Sequence, residues 1–362
     1  MYEYCIVGKP ALDIETPALL LDIGAVERNI EKMAAFFRGK ECGLRPHFKT
    51  HKLPMIARKQ IAAGAIGITC AKIHEAEVLV ESGIEGILIA NEVVPEAKIR
   101  RLVTLARYSE MIVCVDSLEN ANDLSRAAGD VGVQLSILVE VNAGLNRCGV
   151  SPGKPALELA QAVHALDNLR FRGVMGYEGG VFVDDPAEKA RICEASNSRL
   201  VGTAETLRRS GLSVEIVSAG GSNTYRETGL HQGITEVQVG AYVTMDAFNR
   251  RYGIDFEQAI SVLATVISTP EPHRAVIDTG KKSISTDMGL PVIAEPGLEL
   301  FALNEEHGHI GLDGSGRYLR VGDKIVITPS HGCTTIPLHD EYVIVRDGLI
   351  EGIAPIRCRA SS

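Results

Sequence analysis

The sequence has no apolar run of the roughly 18 to 20 residues that span a bilayer. Its first residues include acidic side chains where a secretory signal would be basic. Lysine and arginine number 37 against 46 aspartates and glutamates, a formal net charge of −9. Binding to nucleic acid or to an anionic membrane needs a basic face that neutralises phosphates. These absences argue against a membrane span and against both partners, and we expect a cytoplasmic protein.

Two other familiar signals are missing. The eight cysteines include no C-x-x-C pair, so neither a disulfide framework nor a zinc ribbon is predicted. We expect reduced and mostly buried thiols, with Cys333 as the candidate exception. The glycine pattern G-x-G-x-x-G does not follow the first predicted strand, which weighs against an open dinucleotide-binding sheet.

What the chain does contain is a regular alternation of short β-branched runs and amphipathic helical stretches over its first two thirds. This pattern is typical of repeated βα units around a parallel sheet. About eight units in about 200 residues favour an α/β fold of the TIM (β/α)8 barrel type, with a doubly wound open sheet as the alternative. The predicted strands are residues 44–49, 65–70, 86–90, 111–116, 135–141, 171–177, 214–220 and 236–240.

The pattern changes near residue 255, where strand-like runs with turn signals replace the helices. This predicts a C-terminal all-β domain. The N-terminal run "TPALLLDI" precedes the first helix of the barrel, and we expect it to join that β domain. The predicted organisation is an N-terminal strand in residues 1–22, a barrel in 23–254 and a C-terminal β domain in 255–362.

The strand ends carry most of the candidate chemistry, because in a barrel the reactive groups gather at the C-terminal ends of the strands. The first predicted strand ends at Lys49. A lysine that is desolvated in a barrel mouth becomes a neutral amine and a nucleophile toward an aldehyde. For an arbitrary lysine, a salt-bridged or snorkelling side chain is the commoner alternative, and that alternative suits Lys52 better.

The run "VSAGGSNTY" suits a phosphate monoester, since it combines a Gly-Gly turn with the hydroxyls of Ser222 and Thr224. The signal is weak alone, because ordinary loops also use these residues. It gains weight beside "VGAYV" after strand eight, since loops seven and eight are the usual phosphate site of the barrel. A lysine nucleophile and a phosphate cradle together suggest pyridoxal 5'-phosphate, with a metal-dependent barrel enzyme lacking this cofactor as an alternative.

The run "HGCTTIPLHD" suggests a metal site. His331 and Cys333 are two residues apart, so on a strand both side chains would face one side and could chelate a divalent ion. A structural pair is the commoner alternative. His339 and Asp340 are candidate orienting residues, and Glu306, His307 and His309 are equally compatible with a solvated turn.

These motifs together resemble the D-threonine aldolase and D-serine dehydratase family, which has the alanine-racemase type (fold type III) of pyridoxal phosphate fold. The resemblance covers nearly the whole chain, in matching order and spacing. It extends from "TPALLLD" through "RPHFKTHK", "VEVNAGLNRCGV", "GYEGG", "VSAGGSNTY" and "TEVQVGAYVTMD" to "PSHGCTTIPLHD".

The resemblance implies roles for individual residues. Lys49 would be the Schiff-base lysine, Arg147 the partner of the cofactor's phenolic oxygen, and Tyr177 a residue that contacts the ring or the substrate. Two residues would bind a divalent metal, with zinc, manganese and magnesium as candidates: His331 and Cys333. The remaining cofactor contacts would be Gly221, Ser222, Gly240 and Ala241 at the phosphate, and Tyr225 and Gln238 at the ring.

The implied function is a lyase acting on D-β-hydroxy amino acids, most simply a D-threonine aldolase that forms glycine and an aldehyde. A D-serine or 3-hydroxyaspartate dehydratase is the alternative, and an amino-acid racemase or a non-catalytic cofactor carrier stays open. A cysteine at position 333 resembles the second metal position of the dehydratases, whereas the segment "TEVQVGAYVTMD" resembles the aldolase sequences. The aldolase histidine beyond the strand-six tyrosine is absent from "GYEGGVFVDD", which leaves Glu178 as a candidate substitute. The family also implies a homodimer in which one chain's β domain completes the partner's site.

Overall fold

The computed structural model describes residues 6–314 and 318–359. Contacts divide them into two compact units. The β unit contains the residues up to Lys32, the short segment Thr50–Leu53, and the residues from Ala241 onward. The barrel unit contains Met33–Lys49 and Pro54–Gly240. Within the described ranges, no helix has both the length and the apolar character needed to cross a bilayer.

The barrel unit is built from eight parallel strands and the helices between them. Strand β1 (Ala18–Asp22) and helix α1 (Ile23–Phe37) precede the barrel strands in the chain. The barrel strands are β2 (Gly43–Leu44), β3 (Ile68–Cys70), β4 (Ile87–Glu92), β5 (Met111–Val115), β6 (Leu135–Glu140), β7 (Leu169–Met175), β8 (Ile216–Ala219) and β9 (Glu236–Val237). The helices are α2 (Pro54–Ala62), α3 (Ile73–Glu81), α4 (Glu96–Leu105), α5 (Leu118–Val131), α6 (Lys154–His164), α7 (Pro186–Arg209) and α8 (Tyr225–Gly229).

The eight-stranded sheet runs in the order β2-β9-β8-β7-β6-β5-β4-β3. Its two end strands are joined by backbone hydrogen bonds, Phe48 N to Thr69 O at 2.7 Å and Thr69 N to Pro46 O at 2.8 Å. A parallel bridge between His47 and Thr69 completes this junction. The TIM-type α/β fold predicted from the eight βα units is therefore confirmed.

Central barrel strands are rich in apolar residues because both of their faces are covered. All five residues of β5 and all six of β6 are buried, including Glu140, as expected for parallel strands with helices outside and side chains inside. One buried cluster draws on five successive strands and fills the barrel: Leu88, Ile112, Cys114, Leu138, Met175 and Ile216.

The first barrel strand is shorter than the sequence predicts. Regular pairing covers only Gly43–Leu44 rather than residues 44–49, followed by the isolated bridge at His47. Pro46 has no N–H to donate to a neighbouring strand, which interrupts the ladder. The segment still carries the chain to Lys49 at the C-terminal side of the barrel strands.

The β unit contains one nine-stranded sheet. Its further strands are β10 (Ile260–Glu271), β11 (Arg274–Ile277), β12 (Val292–Ile293), β13 (Leu298–Leu303), β14 (Gly308–Leu312), β15 (Lys324–Thr328), β16 (Glu341–Arg346) and β17 (Leu349–Pro355). Two short helices, α9 (Ala247–Arg251) and α10 (Gly332–Thr335), and three 3-10 turns, Ala11–Asp13, Ala241–Val243 and Ile336–Leu338, complete the elements.

Strand β1 lies inside this sheet, antiparallel to β10 and parallel to β16. Leu20 of β1 packs with Leu263, Val343 and Ile350 in one buried cluster. The expectation that the N-terminal strand joins the C-terminal β domain is therefore confirmed.

Candidate active site

Lys49 follows the His47 bridge at the end of the first barrel strand. Its backbone N–H donates to His47 Nδ1 at 3.3 Å. The side chain is exposed on the single chain, so the desolvation expected for a lysine in a closed barrel mouth is not observed. An exposed amine at this strand end is accessible to an aldehyde ligand.

Arg147 is presented by a tight loop that follows β6. The carboxamide oxygen of Asn142 accepts hydrogen bonds from the backbone N–H groups of Gly144 and Asn146, both at 3.2 Å, and Asn146 adopts a left-handed φ of 57°. Such local bonds are the usual way in which asparagine organises a turn. They place a cation just beyond the C-terminal end of β6, the fifth of the eight barrel strands in chain order.

The Arg147 guanidinium contacts an acid and a ring. Its Nη2 lies 3.7 Å from the Glu140 Oε1, and its Cζ lies 5.9 Å from the centre of the Tyr177 ring. A shallow cleft is lined by all three residues together with Cys148. The structure thus brings together two of the predicted catalytic residues, Arg147 and Tyr177.

The glycine turn after β8 lies beside the same tyrosine. Gly220 has a φ of 77°, and a Cβ there would come within 2.9 Å of Val237, so both backbone conformation and space favour glycine. A Cβ on Gly221 would lie 3.4 Å from the Tyr177 ring. The Ser222 hydroxyl accepts a hydrogen bond from Gly240 N at 3.0 Å. The predicted phosphate residues Gly221, Ser222 and Gly240 therefore form one group with Tyr177.

Glu178 supports this turn through hydrogen bonds. The residue is 8% exposed, and its Oε1 accepts a hydrogen bond from the Thr224 hydroxyl, which itself accepts from Gly221 N at 3.0 Å. Burial raises the pKa of Glu178, while the bonds from Thr224 and from backbone amides act in the opposite direction. These contacts indicate that Glu178 is a buried residue that supports the turn. The sequence alone did not distinguish this role from substitution for the absent aldolase histidine.

Three other predicted cofactor residues are placed as follows. Gln238 donates from Nε2 to Ser218 Oγ at 2.8 Å and is half-buried. Tyr225 is buried at the start of α8 and packs edge-on against Phe36, with ring centres 4.9 Å apart. Ala241 belongs to the β unit, where its carbonyl accepts from Met245 N at 2.8 Å. The roles of these three residues at the cofactor stay predictions.

His331 and Cys333 lie on a turn rather than on a strand, so the strand geometry expected for them is wrong. His331 is the residue before α10, and Cys333 is the second residue of that short helix. The turn is held by Asp246, whose Oδ2 accepts from Gly332 N at 3.0 Å. A histidine at the helix start followed by a cysteine in its first turn still brings the two side chains into interaction.

A third residue joins this pair. His331 Nδ1 lies 2.7 Å from Asp287 Oδ2, and Cys333 Sγ lies 3.5 Å from Thr50 Oγ1 within the same unit. Desolvation lowers the pKa of His331, but the neighbouring Cys333 and Asp287 outweigh it and raise that pKa to about 9. Asp287 lies 44 residues before His331, so sequence spacing gave no signal for it.

The other candidate metal residues have local partners in the β unit. His339 Nε2 lies 2.7 Å from Ser283 O, and Asp340 pairs with Arg359 at 2.6 Å. Glu306, in the turn before β14, pairs with Lys282 at 2.7 Å, and Nε2 of His309, the second residue of β14, lies 2.7 Å from Asn304 Oδ1. These contacts match the solvated-turn alternative for residues 304–310.

The donor sets fit the two groups expected from the sequence. In the barrel unit, an accessible amine, a guanidinium and a Gly-Gly-Ser turn supply the chemistry that an aldehyde, a phenolic oxygen and a phosphate require. In the β unit, an imidazole beside a thiol, with a carboxylate on the second imidazole nitrogen, is a donor set typical of transition-metal sites.

Comparison with known proteins identifies the same family as the sequence motifs. Residues 21–247 match the alanine racemase N-terminal domain family, and residues 259–345 match a D-serine dehydratase family domain. A D-threonine aldolase from an Arthrobacter species is 38% identical, over 98% of this chain and 95% of the relative. This chain belongs to the D-threonine aldolase and D-serine dehydratase family. The family is one of alanine-racemase-type lyases, which implies pyridoxal phosphate as the cofactor.

Solved structures of this family extend the comparison. The D-threonine aldolase from Filomicrobium marinum has a TM-score of 0.95 and 39% identity, with 98% of each chain covered. The D-threo-3-hydroxyaspartate dehydratase from Delftia sp. HT23 has a TM-score of 0.88 and 28% identity, covering 98% of this chain and 99% of that one. Variants of the Delftia enzyme replace a histidine and a cysteine two positions apart, and the cysteine variant is in a metal-free form.

Proposed function

We propose that this protein is a pyridoxal phosphate- and divalent metal-dependent D-threonine aldolase. The main support for this proposal is similarity over the full length to D-threonine aldolases at 38 and 39% identity, against 28% identity for the dehydratase structure. It is supported by the barrel strand ends, where Arg147, Tyr177 and the Gly221 turn are grouped as this chemistry requires. The reaction is cleavage of a D-β-hydroxy amino acid into glycine and an aldehyde.

Each cofactor contact has a donor of matching chemistry. The Lys49 amine binds the aldehyde of pyridoxal phosphate, and Arg147 donates to its phenolic oxygen. The Ser222 hydroxyl and the amides of Gly221, Gly240 and Ala241 hold the phosphate. Tyr177 borders both the arginine and the phosphate turn, so it limits where the ring and the substrate lie. Gln238 and Tyr225 complete the proposed ring contacts.

The bound cofactor supplies an electron sink for bond cleavage at the substrate's α-carbon. With cofactor and substrate bound, the Lys49 amine would be placed to hold or deliver a proton at that carbon. Its exposed position after the first barrel strand suits such a proton transfer. Glu178 is buried against Thr224 and supports the turn, so it is not assigned to proton transfer.

We assign the metal to His331 and Cys333, with Asp287 orienting the imidazole. The Delftia variants support this assignment, since they alter a histidine and a cysteine with the same spacing. An imidazole and a thiolate favour zinc, while manganese and magnesium prefer more oxygen donors. A bound divalent ion supplies charge that favours loss of the substrate's β-hydroxyl proton.

Product analysis tests the function. Purified protein is given D-threonine or D-serine, with and without a chelator, and glycine, acetaldehyde, keto acid and ammonia are measured. We expect glycine and acetaldehyde from D-threonine, and chelation should abolish their formation. L-threonine is the stereochemical control. Keto acid and ammonia without glycine would exclude the aldolase, and racemisation that ignores the chelator would indicate a racemase.

A dehydratase is the second candidate because Cys333 matches the cysteine of the Delftia enzyme in its spacing from the histidine. D-threo-3-hydroxyaspartate separates the two reactions on one substrate. An aldolase converts it into glycine and glyoxylate, whereas a dehydratase converts it into oxaloacetate and ammonia. We expect glyoxylate. A stable yellow protein that turns over none of these substrates would instead indicate a cofactor carrier.

We also propose that the enzyme is a homodimer. Large apolar side chains are exposed on the β unit of the single chain, and exposed apolar surface of this kind is typical of subunit interfaces. They include Met288, Leu290, Val292, Phe301 and Val326. Light scattering on the purified protein should give twice the 38.9 kDa mass of one chain. A monomer mass at every concentration would exclude the dimer.

A further inference from the structure

The barrel carries a cluster of acids that the proposed chemistry does not use. Glu92 ends β4 and Glu140 ends β6, on either side of β5. A carboxylate oxygen from each and the Sγ of Cys148 all lie within 4.8 Å of one another. The cluster therefore lies at the C-terminal ends of the strands, where the catalytic groups of this fold gather.

Glu140 is buried and Glu92 is half-buried, and each carboxyl group has an oxygen without a hydrogen-bond partner among the described residues. Glu140 is 3% exposed. Within the described part of the chain, neither Glu140 Oε2 nor Glu92 Oε1 has a hydrogen-bond partner, although both atoms are buried. An unpaired buried carboxylate oxygen is costly, and two neighbouring negative carboxylates repel each other strongly in a buried site. A single proton between them relieves both problems at once.

The surrounding groups agree with one retained proton. Desolvation, the contact with Glu92 and the charge of Glu92 raise the pKa of Glu140, while Arg147 opposes them. The other groups that face the pair are Asp116 and the thiols of Cys114 and Cys148. Burial raises the pKa of both thiols, so at neutral pH they are uncharged. Arg147 is thus the cation among these groups.

We propose that Glu92 and Glu140 share one proton and that the single negative charge they retain positions Arg147 for the cofactor's phenolic oxygen. This rests on the proposed function, which assigns that oxygen to Arg147. The pair reaches Arg147 through Glu140, whose Oε1 is 3.7 Å from the guanidinium. Half of the Arg147 side chain is exposed, so the guanidinium keeps N–H groups available for a ligand. Glu92 and Glu140 are accordingly positioning residues.

The charge of the pair decides how strongly it holds Arg147. With one proton the pair carries one negative charge, which matches the one positive charge of the guanidinium. Loss of the proton at higher pH doubles the negative charge, which draws Arg147 toward Glu140 and away from the cofactor. A divalent cation is disfavoured in the same place, because Arg147 already occupies one side of Glu140.

Infrared spectroscopy of the holoenzyme detects the shared proton directly. A protonated carboxyl group gives a carbonyl band that shifts in D₂O, and we expect this band at neutral pH and its loss as the pH is raised. Glu140→Gln should abolish it, because the buried carboxyl group is removed. Glu92→Gln should move its loss to lower pH, because desolvation still acts on Glu140 but the contact with Glu92 and its charge no longer do. Each variant gives its own result, so one folded variant is sufficient. Glu178→Gln identifies any band from that second buried carboxyl, and Glu110→Gln, on an exposed acid, is the matched control.

The visible absorption of bound pyridoxal phosphate tests the positioning role. In the wild type its pH titration should contain a step that coincides with loss of the infrared band. Glu140→Gln should lack this step, and Glu92→Gln should move it to lower pH together with the band. A band that survives in Glu140→Gln, a band whose loss Glu92→Gln does not move, or a wild type without a band overturns the shared proton even if the protein is yellow. Protein that binds no cofactor while keeping the band overturns the role of Arg147 and the proposed function. A second metal equivalent that is lost in both variants would identify a metal site instead.

Discussion

At the scale of single residues, the charged segment "LRPHFKTHK" divides into structural and chemical positions. Arg45 Nη2 forms a buried ion pair with Glu236 at 2.9 Å, and Nη1 donates to Gly86 O at 2.6 Å. It thereby links β9 to the residue before β4. Four residues later Lys49 is exposed. The sequence shows the same type of charge at both positions, and only the partner of Arg45, nearly 200 residues away in the chain, separates their roles.

The first prediction concerns the ion pair of Arg45. Replacing Glu236 with alanine leaves the buried guanidinium without its carboxylate, and breaking one side of a buried pair typically costs about 3–5 kcal/mol. We expect a loss of that order in the free energy of unfolding, measured by urea denaturation. The control is Glu257→Ala, which removes the exposed partner of Arg28 and should have a much smaller effect. Equal losses in the two variants would contradict a structural role for the Arg45 pair.

The second prediction concerns Glu178 and distinguishes two roles for it, support of the phosphate turn and proton transfer. Glu178→Ala removes the acceptor of the Thr224 hydroxyl, and a hydrogen bond to a charged group is worth about 1.5–3 kcal/mol. Cofactor affinity should fall about 10- to 100-fold, measured by titration of the visible absorption. Glu178→Gln retains an acceptor, so it should bind the cofactor and turn over substrate nearly as well as the wild type.

Two outcomes would contradict this assignment. If Glu178→Gln binds the cofactor normally but loses turnover, Glu178 transfers a proton and replaces the absent histidine. If Glu178→Ala binds normally, the turn does not depend on Glu178. The matched control is Ser198→Ala, which removes a hydroxyl bonded to Glu194 on the exposed face of α7 at 2.8 Å.

At the scale of elements, regular strands were predictable and the metal turn was not. Apolar periodicity located all eight barrel strands, because each lies in a βα unit that repeats along the chain, although it overestimated the length of the short strands β2 and β9. It failed for His331 and Cys333, since a two-residue spacing is compatible with a strand and with the start of a helix. The choice depends on Asp246 and Asp287, which hold the turn through contacts 86 and 44 residues apart in the chain. Distant contacts of this kind leave no local pattern.

The third prediction concerns Asp287. It lies 2.7 Å from His331 Nδ1, and a carboxylate on the second nitrogen of a metal-binding histidine fixes the ring and raises its basicity. Asp287→Asn should weaken metal affinity about 10- to 100-fold, measured by competition with a chromophoric chelator. Asp340→Asn is the control, because Asp340 pairs with Arg359 instead. Loss of affinity in Asp340→Asn alone would restore the residue that the sequence favoured.

At the scale of the whole molecule, the sequence was most informative where many weak signals repeat. Eight βα units predicted the barrel, and the switch to short strands predicted the β sheet, because each rests on periodicity summed over many residues. The pairing of Glu92 with Glu140 was not predictable. Each acid simply ends a strand, and the sheet order β4-β5-β6 brings their carboxyl groups together across the end of β5.

The fourth prediction assigns one ligand to each unit. A ligand that binds only the folded state adds about 2.7 kcal/mol of stability when its concentration is 100 times its Kd. Lys49→Ala should therefore lose the visible absorption of the cofactor and keep its sensitivity to a chelator in thermal unfolding. His331→Ala should keep the absorption and lose the sensitivity. Lys98→Ala, on α4, and His309→Ala, on β14, should retain both properties.

The crossed design separates the two assignments even if the enzyme turns out to be a dehydratase. Visible absorption that persists in Lys49→Ala would place the cofactor elsewhere, whatever the metal does. Chelator sensitivity that persists in His331→Ala would exclude the turn around α10 as the metal site. Because each readout concerns binding rather than turnover, the choice between aldolase and dehydratase affects neither result, and product analysis decides that choice alone.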